Sequence, residues 1–310
     1  MPEVTCAGVL VADVIVHPVD RWPERGRLQP VERIELHSGS PAHTAAVSLA
    51  KLGVPAAVVG RVGSDPFGAF LRDALARWGV ESHVTEDGEA HTSMTVVAVS
   101  SGGERSFLHH AGANARLLPD DVEDDLLAQT RVLHLGGYFL MPALDGEPAA
   151  RLLARAKNAG CRTSLDVAWD PQGRWMSALA PCLPHLDVLF GNREELAALT
   201  GEEGAPAAEA LRRRGVELVV MKLGEEGAYV SGDAWRGHVP AFAVDVVDTT
   251  GAGDAFCAGF LAGTLWGWRL EETTRFANAA GAMCVTVVGG TTGVSGRDET
   301  LAFMRGVSMR

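Results

Sequence analysis

At 310 residues, with 36 glycines, few aromatics and a net charge of −12, the chain can bury a large core as one α/β domain with an appendage or as two ordinary domains. No basic run offsets the negative charge and lysine occurs only at Lys51, Lys157 and Lys222, which argues against nucleic-acid binding and leaves an anionic ligand to local backbone N–H groups and metal. Cys6, Cys161, Cys182, Cys257 and Cys284 have no C-x-x-C spacing, the pattern of reduced, buried thiols in a cytoplasmic protein; Met1-Pro2-Glu3-Val4 carries no basic leader, and neither secretion nor membrane insertion is expected.

In chain order, short apolar runs alternate with amphipathic stretches, which predicts a mostly parallel sheet flanked by helices, an α/β fold without a domain-separating linker or internal repeat. A strand is expected over residues 4–11, then a region of β-branched residues and turn formers over 14–37. A helix over 42–52, a strand over 56–59 and a helix over 67–78 follow. Residues 92–109 alternate around Ser101-Gly102-Gly103-Glu104, and with 14–37 they predict a small antiparallel sheet added to the main domain. Next come a strand over 132–135, a helix over 146–159, strands over 163–166 and 188–190, helices over 193–200 and 205–214, a strand over 218–222, and helices over 252–266 and 272–287.

The most informative segment is Asp248-Thr249-Thr250-Gly251-Ala252-Gly253-Asp254, which runs into the predicted helix 252–266. Gly251 and Gly253 permit a backbone in which successive N–H groups point into one concavity at a helix N-terminus, where an anion is favoured. A carboxylate at the rim, Asp254, would be repelled by bound phosphate, yet it is well placed to take a proton from an attacking hydroxyl. The competing reading is an Asp N-cap on an ordinary helix.

Other motifs precede it. Gly39-Ser40-Pro41-Ala42-His43-Thr44 opens the first helix, Gly60-Arg61-Val62-Gly63-Ser64-Asp65 leads into the second, and Asn192-Arg193-Glu194-Glu195 and Lys222-Leu223-Gly224-Glu225-Glu226-Gly227 follow. In this order, over nearly the whole chain, they resemble the ribokinase-like, pfkB-type carbohydrate kinase family. The resemblance implies a single three-layer αβα domain over residues 1–310 with a β lid, and ATP-dependent phosphorylation of a hydroxyl, primary by preference, of a small sugar or sugar acid. It implies that Asp254 is the general base and that Gly251, Ala252 and Gly253 form the anion hole for the transferring phosphoryl group. Asn192 and Glu195 match the N-x-x-E motif that organises Mg²⁺ through water, although a helix cap and a solvated first-turn carboxylate would look the same. Lys222, Gly224, Glu225 and Gly227 match the turn along the ATP ribose and phosphates, or alternatively form a plain hairpin turn into Tyr229-Val230. Asn278 matches a position facing adenine. Asp248 and Thr250, with backbone carbonyls near Cys284, Val287 and Gly289, match a monovalent-cation site for K⁺, although hydrogen bonds bracing a turn are an equal reading.

At the sugar end the resemblance assigns Asp13, placed at the end of the first strand, and Gly39, Ser40 and Thr44 in the loop approaching the sugar. Ser40 stands where a second glycine is common and Thr44 where asparagine is common. Arg105, His109, His110, Tyr138 and the pair Trp169-Asp170 are further candidates, with the histidines and His43 read as lid or core residues rather than catalytic ones. Val16, Ile34, Leu36, Val97, Val99 and Phe107 alternate with polar residues, so the lid is expected to pair with a second copy in a homodimer. The alternatives are a nucleoside kinase of the same superfamily, disfavoured by the lack of an aromatic-rich lid, and a non-catalytic sugar or nucleotide sensor, opposed by Asp254, Asn192 and Glu195. A dinucleotide oxidoreductase fails because the first βα turn has no G-x-G-x-x-G, and no Walker motif occurs.

Overall fold

The computed structural model describes residues 1–309. Among them the strands are β1 (Val4–Gly8), β2 (Val11–His17), β3 (Arg33–Gly39), β4 (Ala56–Gly63), β5 (Glu81–Asp87), β6 (Met94–Val99), β7 (Arg105–His110), β8 (Val132–Tyr138), β9 (Arg162–Val167), β10 (Val188–Asn192), β11 (Leu218–Lys222), β12 (Ala228–Ser231) and β13 (Arg236–Val239). The α-helices are α1 (Pro41–Lys51), α2 (Pro66–Arg77), α3 (Asp124–Leu127), α4 (Glu147–Asn158), α5 (Met176–Leu179), α6 (Arg193–Thr200), α7 (Ala205–Arg212), α8 (Ala252–Leu265), α9 (Leu270–Cys284) and α10 (Arg297–Gly306).

The main sheet has the order β13-β12-β11-β10-β9-β8-β1-β4-β5 and is parallel except for the β11-β12-β13 meander. Strand alternation divides the core. Leu133, Leu135, Leu165, Leu189 and Val219 pack with Leu152, Leu153, Leu196 and Leu211 of α4, α6 and α7, whereas Val132, Phe190 and Val220 face Leu49, Leu71, Phe260 and Phe276 of α1, α2, α8 and α9. Both faces of the sheet are therefore covered, which makes the fold a three-layer αβα sandwich with near-continuous apolar strands. All five cysteines are free and buried, and no helix among the described residues is long and apolar enough to cross a membrane.

The expected strand over 4–11 is in fact two. At Gly8 φ is +150°, and a Cβ there would stand 2.1 Å from the Gly136 carbonyl oxygen, so the chain kinks at a position only glycine fills and leaves for a second sheet. Asp13 consequently lies in β2, not at the end of the first strand. The second sheet has the order β3-β2-β6-β7, and its central pair β2–β6 is parallel, so the expected antiparallel lid is mixed. The cause is topological, since β2 and β6 follow β1 and β5, which run parallel in the main sheet.

Register also sorts the lid's apolar residues. Val14 pairs with Leu36 and Val96, Val16 with Ile34, and Val96 with Leu108, so these share one face. Val97, Val99 and Phe107, expected on that same face, lie on the other one together with Asp13, Ile15 and Arg105. At its base the first face packs on the core through Ala12 and Met94, whereas further out Ile34 is 67%, Leu36 41% and Leu108 57% exposed in the monomer.

Candidate active site

The carboxyl ends of β9, β10 and β11 deliver Asp166, Asn192 and Lys222 side by side, with Asn192 paired to Lys222 and Phe190 to Asp166 in the ladder. Ligands of open α/β sheets bind in the crevice outside those ends. The Lys222 ammonium donates to both Asp166 oxygens, at 2.6 and 2.8 Å, and Asp166 is 3% exposed. Burial alone would lower the lysine's pKa, but Asp166 reverses that and holds it above the ordinary lysine value. A Cβ on Gly253 would stand 3.2 Å from Lys222 Nζ, so the ammonium borders the glycine turn.

That turn has the geometry its residues suggested. Gly251 precedes α8 with φ +74°, and a Cβ there would be 2.6 Å from Gly290 Cα, so the left-handed conformation and the close approach both require glycine. Ala252, Gly253 and Asp254 open the helix, whose first N–H groups have no i−4 partner. Asp254 is the third helical residue and not its N-cap, so the simple capping reading fails. Its carboxyl is pushed up to about 7, first by desolvation and then by Asp166, with Glu195 and Asp13 adding to the rise and Lys222 opposing it.

The turn separates two cavities. On one side, Thr249, Ala252 and Gly253 line a cleft of about 280 Å³ with Lys222, Gly224, Glu225, Gly227, Asn278 and an apolar wall of Ala241, Phe242, Val244, Val246, Phe256, Ala282 and Val285. On the other, Asp248 and Thr250 line a cavity of about 220 Å³ with Ile15, His17, Arg33, Glu35, Val97 and Arg105 from the lid. The first suits a flat, largely apolar ring system with a charged tail; the second mixes the apolar Ile15, Val97, Val99, Val247 and Val288 with the charged Arg33, Glu35, Arg105 and Asp248.

Asn192 and Glu195 form a reciprocal capping box. Asn192 Oδ1 accepts the Glu195 N–H at 2.8 Å, and Glu195 Oε2 accepts the Asn192 N–H at 2.8 Å. The capping reading is thus realised, and it aims a buried carboxylate toward Lys222. Desolvation lifts Glu195 to about 7, with Lys222 pulling the other way. The 222–227 turn is both hairpin and cleft wall, because β11 pairs antiparallel with β12 while Lys222, Gly224, Glu225 and Gly227 line the cavity. Asn278 also lines it, with its amide donating to the Val239 and Pro240 carbonyls at 3.0 Å each.

On the lid side, Asp13 is pushed up to about 6 by burial, against a hydrogen bond from Thr95 and the nearby His37, and it couples electrostatically to Asp254. Ser40 adopts φ +91°, a conformation natural to glycine, which accounts for the usual residue there. Its hydroxyl donates to the Val9 carbonyl. Thr44, expected in a loop, is inside α1. Its Oγ1, buried without a protein partner, lies 3.5 Å from where a Cβ of Gly290 would be, behind the Gly251 turn.

The remaining candidates divide. Asp248 accepts the Thr250 and Gly289 N–H groups at 2.9 Å each, Cys284 Sγ donates to the Thr250 carbonyl at 3.4 Å, and Val287 is 38% exposed. Arg105 joins Asp248 and Thr250 from the lid. His109 and His110 are in lid strand β7, with His109 Nδ1 3.0 Å from Thr95 Oγ1. Tyr138 is a core residue whose hydroxyl donates to the Ala178 carbonyl at 2.8 Å. Asp170 accepts the Gln172 and Trp175 N–H groups and so braces its loop, and Trp169 packs edgewise on Trp175. His43 is buried, and desolvation lowers it to about 4. No motif marks Asp166; the available signal is a carboxylate closing a strand in step with Asn192 and Lys222.

Residues 1–296 match the pfkB family carbohydrate kinase model. Ribokinase from Haemophilus influenzae is 30% identical over 97% of this chain and 97% of its own length. Fructokinase-2 from Oryza sativa subsp. japonica is 30% identical over 83% of this chain and 81% of its own. The Arabidopsis thaliana ribokinase solved with ribose and ATP superposes with a TM-score of 0.85 at 27% identity, covering 98% of this chain and 99% of that one. With an αβα core, a β lid, and a glycine turn between two cavities that leads into a buried carboxylate, the chain belongs to the pfkB family of carbohydrate kinases.

Proposed function

We propose that this kinase transfers the γ-phosphoryl group of ATP to a hydroxyl, primary by preference, of a small free sugar or sugar acid bound beneath the lid. One observation carries the reading. The 248–253 turn borders an apolar cleft on one side and a cavity under the lid on the other, and it runs directly into Asp254 in the first turn of α8, which is where we place the meeting of phosphate tail and hydroxyl. Asp13 and the polar lid residues orient the sugar, Asp254 takes the proton of its attacking hydroxyl, and the N–H groups of Gly251, Ala252 and Gly253 receive the charge that develops on the transferring group. Lys222 supplies positive charge at the same point. Mg²⁺ would neutralise the nucleotide phosphates; Asn192 and Glu195 would hold it through water, since the capping box engages only one of the two Glu195 carboxylate oxygens and this carboxylate lies within electrostatic reach of Lys222. The residues at Asp248 fit K⁺ poorly, because Arg105 already engages Asp248 and Thr250.

Incubating the protein with MgATP and a panel of sugars, sugar acids and nucleosides, with ADP release as readout, tests the reading. A free sugar or sugar acid is expected to be the best substrate; ATP consumption by nucleosides alone, or by nothing, overturns it. The pH dependence should follow Asp254. Only the carboxylate accepts a proton, so with a folded value near 7 kcat/KM is expected to rise about tenfold per pH unit below about 7 and to level off above it. A flat profile from pH 5.5 to 8 would take the base role away from this residue.

The lid face bearing Ile34, Leu36 and Leu108, opposite the one that lines the sugar cavity, is proposed to pair with the same face of a second copy in a homodimer. Leu108→Asp with Ile34→Glu should turn a dimer into a monomer in light scattering at micromolar concentration. A wild-type chain already monomeric there excludes the pairing.

A further inference from the structure

Asp248 is the node where the lid, the glycine turn and the segment after α9 meet. Its Oδ2 accepts the Gly289 N–H and its Oδ1 the Thr250 N–H, each at 2.9 Å. Gly290, the next residue, packs against Gly251 of the anion hole. Into this node β7 sends Arg105, which donates through Nη2 to Asp248 Oδ1 and through Nη1 to Thr250 Oγ1 at 2.9 Å. The fork is the donor geometry a carboxylate and hydroxyl accept well. A monovalent cation does not fit beside it. The carboxylate and hydroxyl oxygens it would use already face the guanidinium, the Thr250 carbonyl accepts from Cys284 Sγ at 3.4 Å, and two like charges about 4 Å apart repel by roughly 1 kcal/mol even in bulk water.

We propose that Arg105 is the built-in cation of this kinase: a lid-borne guanidinium neutralises Asp248 and so orders the Gly251–Gly253 turn, making the enzyme independent of potassium and coupling lid closure to the anion hole. Arg105 is a positioning residue in this account. It touches neither phosphate nor proton, and its effect passes through Asp248 to Thr250 on one side and to Gly289 and Gly290 on the other. An open lid withdraws the charge and leaves the turn less ordered, so phosphoryl transfer to water is suppressed whenever the sugar site is uncovered.

The proposal rests on the kinase reading, and the test separates the two. Nucleotide affinity is measured by calorimetry with MgADP, and turnover with the best panel substrate, in tetramethylammonium and in potassium chloride at equal ionic strength. For the wild type, both quantities are expected to agree within about twofold between the salts. Arg105→Ala should lose about 10- to 100-fold in kcat, the loss typical of one charged hydrogen-bond partner, and should regain part of it on adding K⁺ or guanidinium, with Arg105→Lys in between. Hydrogen exchange in residues 248–253 should rise in Arg105→Ala. A wild-type enzyme that potassium activates or tightens toward ADP by more than about threefold overturns the proposal, and this arm needs no variant. So does an Arg105→Ala that keeps wild-type turnover. If no panel compound is phosphorylated the kinase reading fails, while the calorimetric salt comparison still decides the role of Arg105.

Discussion

Asp254→Asn is expected to lower kcat by about 10²–10⁴, the usual cost of removing a general base, while MgADP binds as well as before or better. The split follows from where the carboxylate sits. It stands in the first turn of α8, with Asp166, Glu195 and Asp13 all raising its proton affinity, so an uncharged amide removes repulsion toward phosphate while keeping the shape. The same surroundings give a stability signature. Its folded value near 7 lies above the ordinary carboxylate value of 3.8, so the folded state holds the proton more tightly than the unfolded one. Stability of the unliganded wild type is therefore favoured by protonation at low pH and declines as pH rises from about 4 to about 7. Asp254→Asn escapes that decline. Its melting temperature should exceed that of the wild type at pH 8 and converge with it toward pH 4. A variant retaining kcat within about threefold would remove Asp254 from the mechanism.

Much of this arrangement is legible in the sequence, because the chemistry is concentrated in local motifs. The helices at 193–200 and 252–266 and the turn between Asp248 and Asp254 depend on caps and glycines within a few residues of one another, and they appear where expected. What was lost is long-range. The run from residue 4 to 11 reads as one strand because both β1 and the start of β2 are buried, and only the Gly136 carbonyl, far along the chain, shows why Gly8 must break it. The Arg105–Asp248 contact spans 143 residues, and nothing local to either tells of the other. The lid's faces were mixed for the same reason: alternation along one strand does not reveal which residues of the next strand share its side. Strands β5 and β13 and helices α3, α5 and α10 were not anticipated, and β12 only as the far arm of the alternative hairpin at Tyr229-Val230; β5 and β13 mix exposed polar residues with few apolar ones.

Lys222→Met should damage both stability and turnover, and a second substitution separates the two. Removing the ammonium leaves Asp166, 3% exposed and bonded to it through both oxygens, as an uncompensated buried charge, a change that costs about 3–5 kcal/mol. Because the orphaned carboxylate can escape by taking a proton, the deficit should be smallest in acid and widen as pH rises. Adding Asp166→Asn removes the charge, and the double variant is expected to regain most of the lost melting temperature. Turnover should not return with it. The ammonium borders Gly253 in the anion hole, where one lost donor costs about 10²–10³ in kcat. It also holds down the proton affinity of Asp254, so the rising limb of the pH–rate profile should move to higher pH in Lys222→Met; in the double variant the loss of Asp166, the stronger of the two influences on Asp254, should bring it back to or below its wild-type position. If the double variant recovers stability and turnover together, Lys222 serves only to neutralise Asp166, and the positive charge at the transferring phosphoryl group must come from elsewhere in the site.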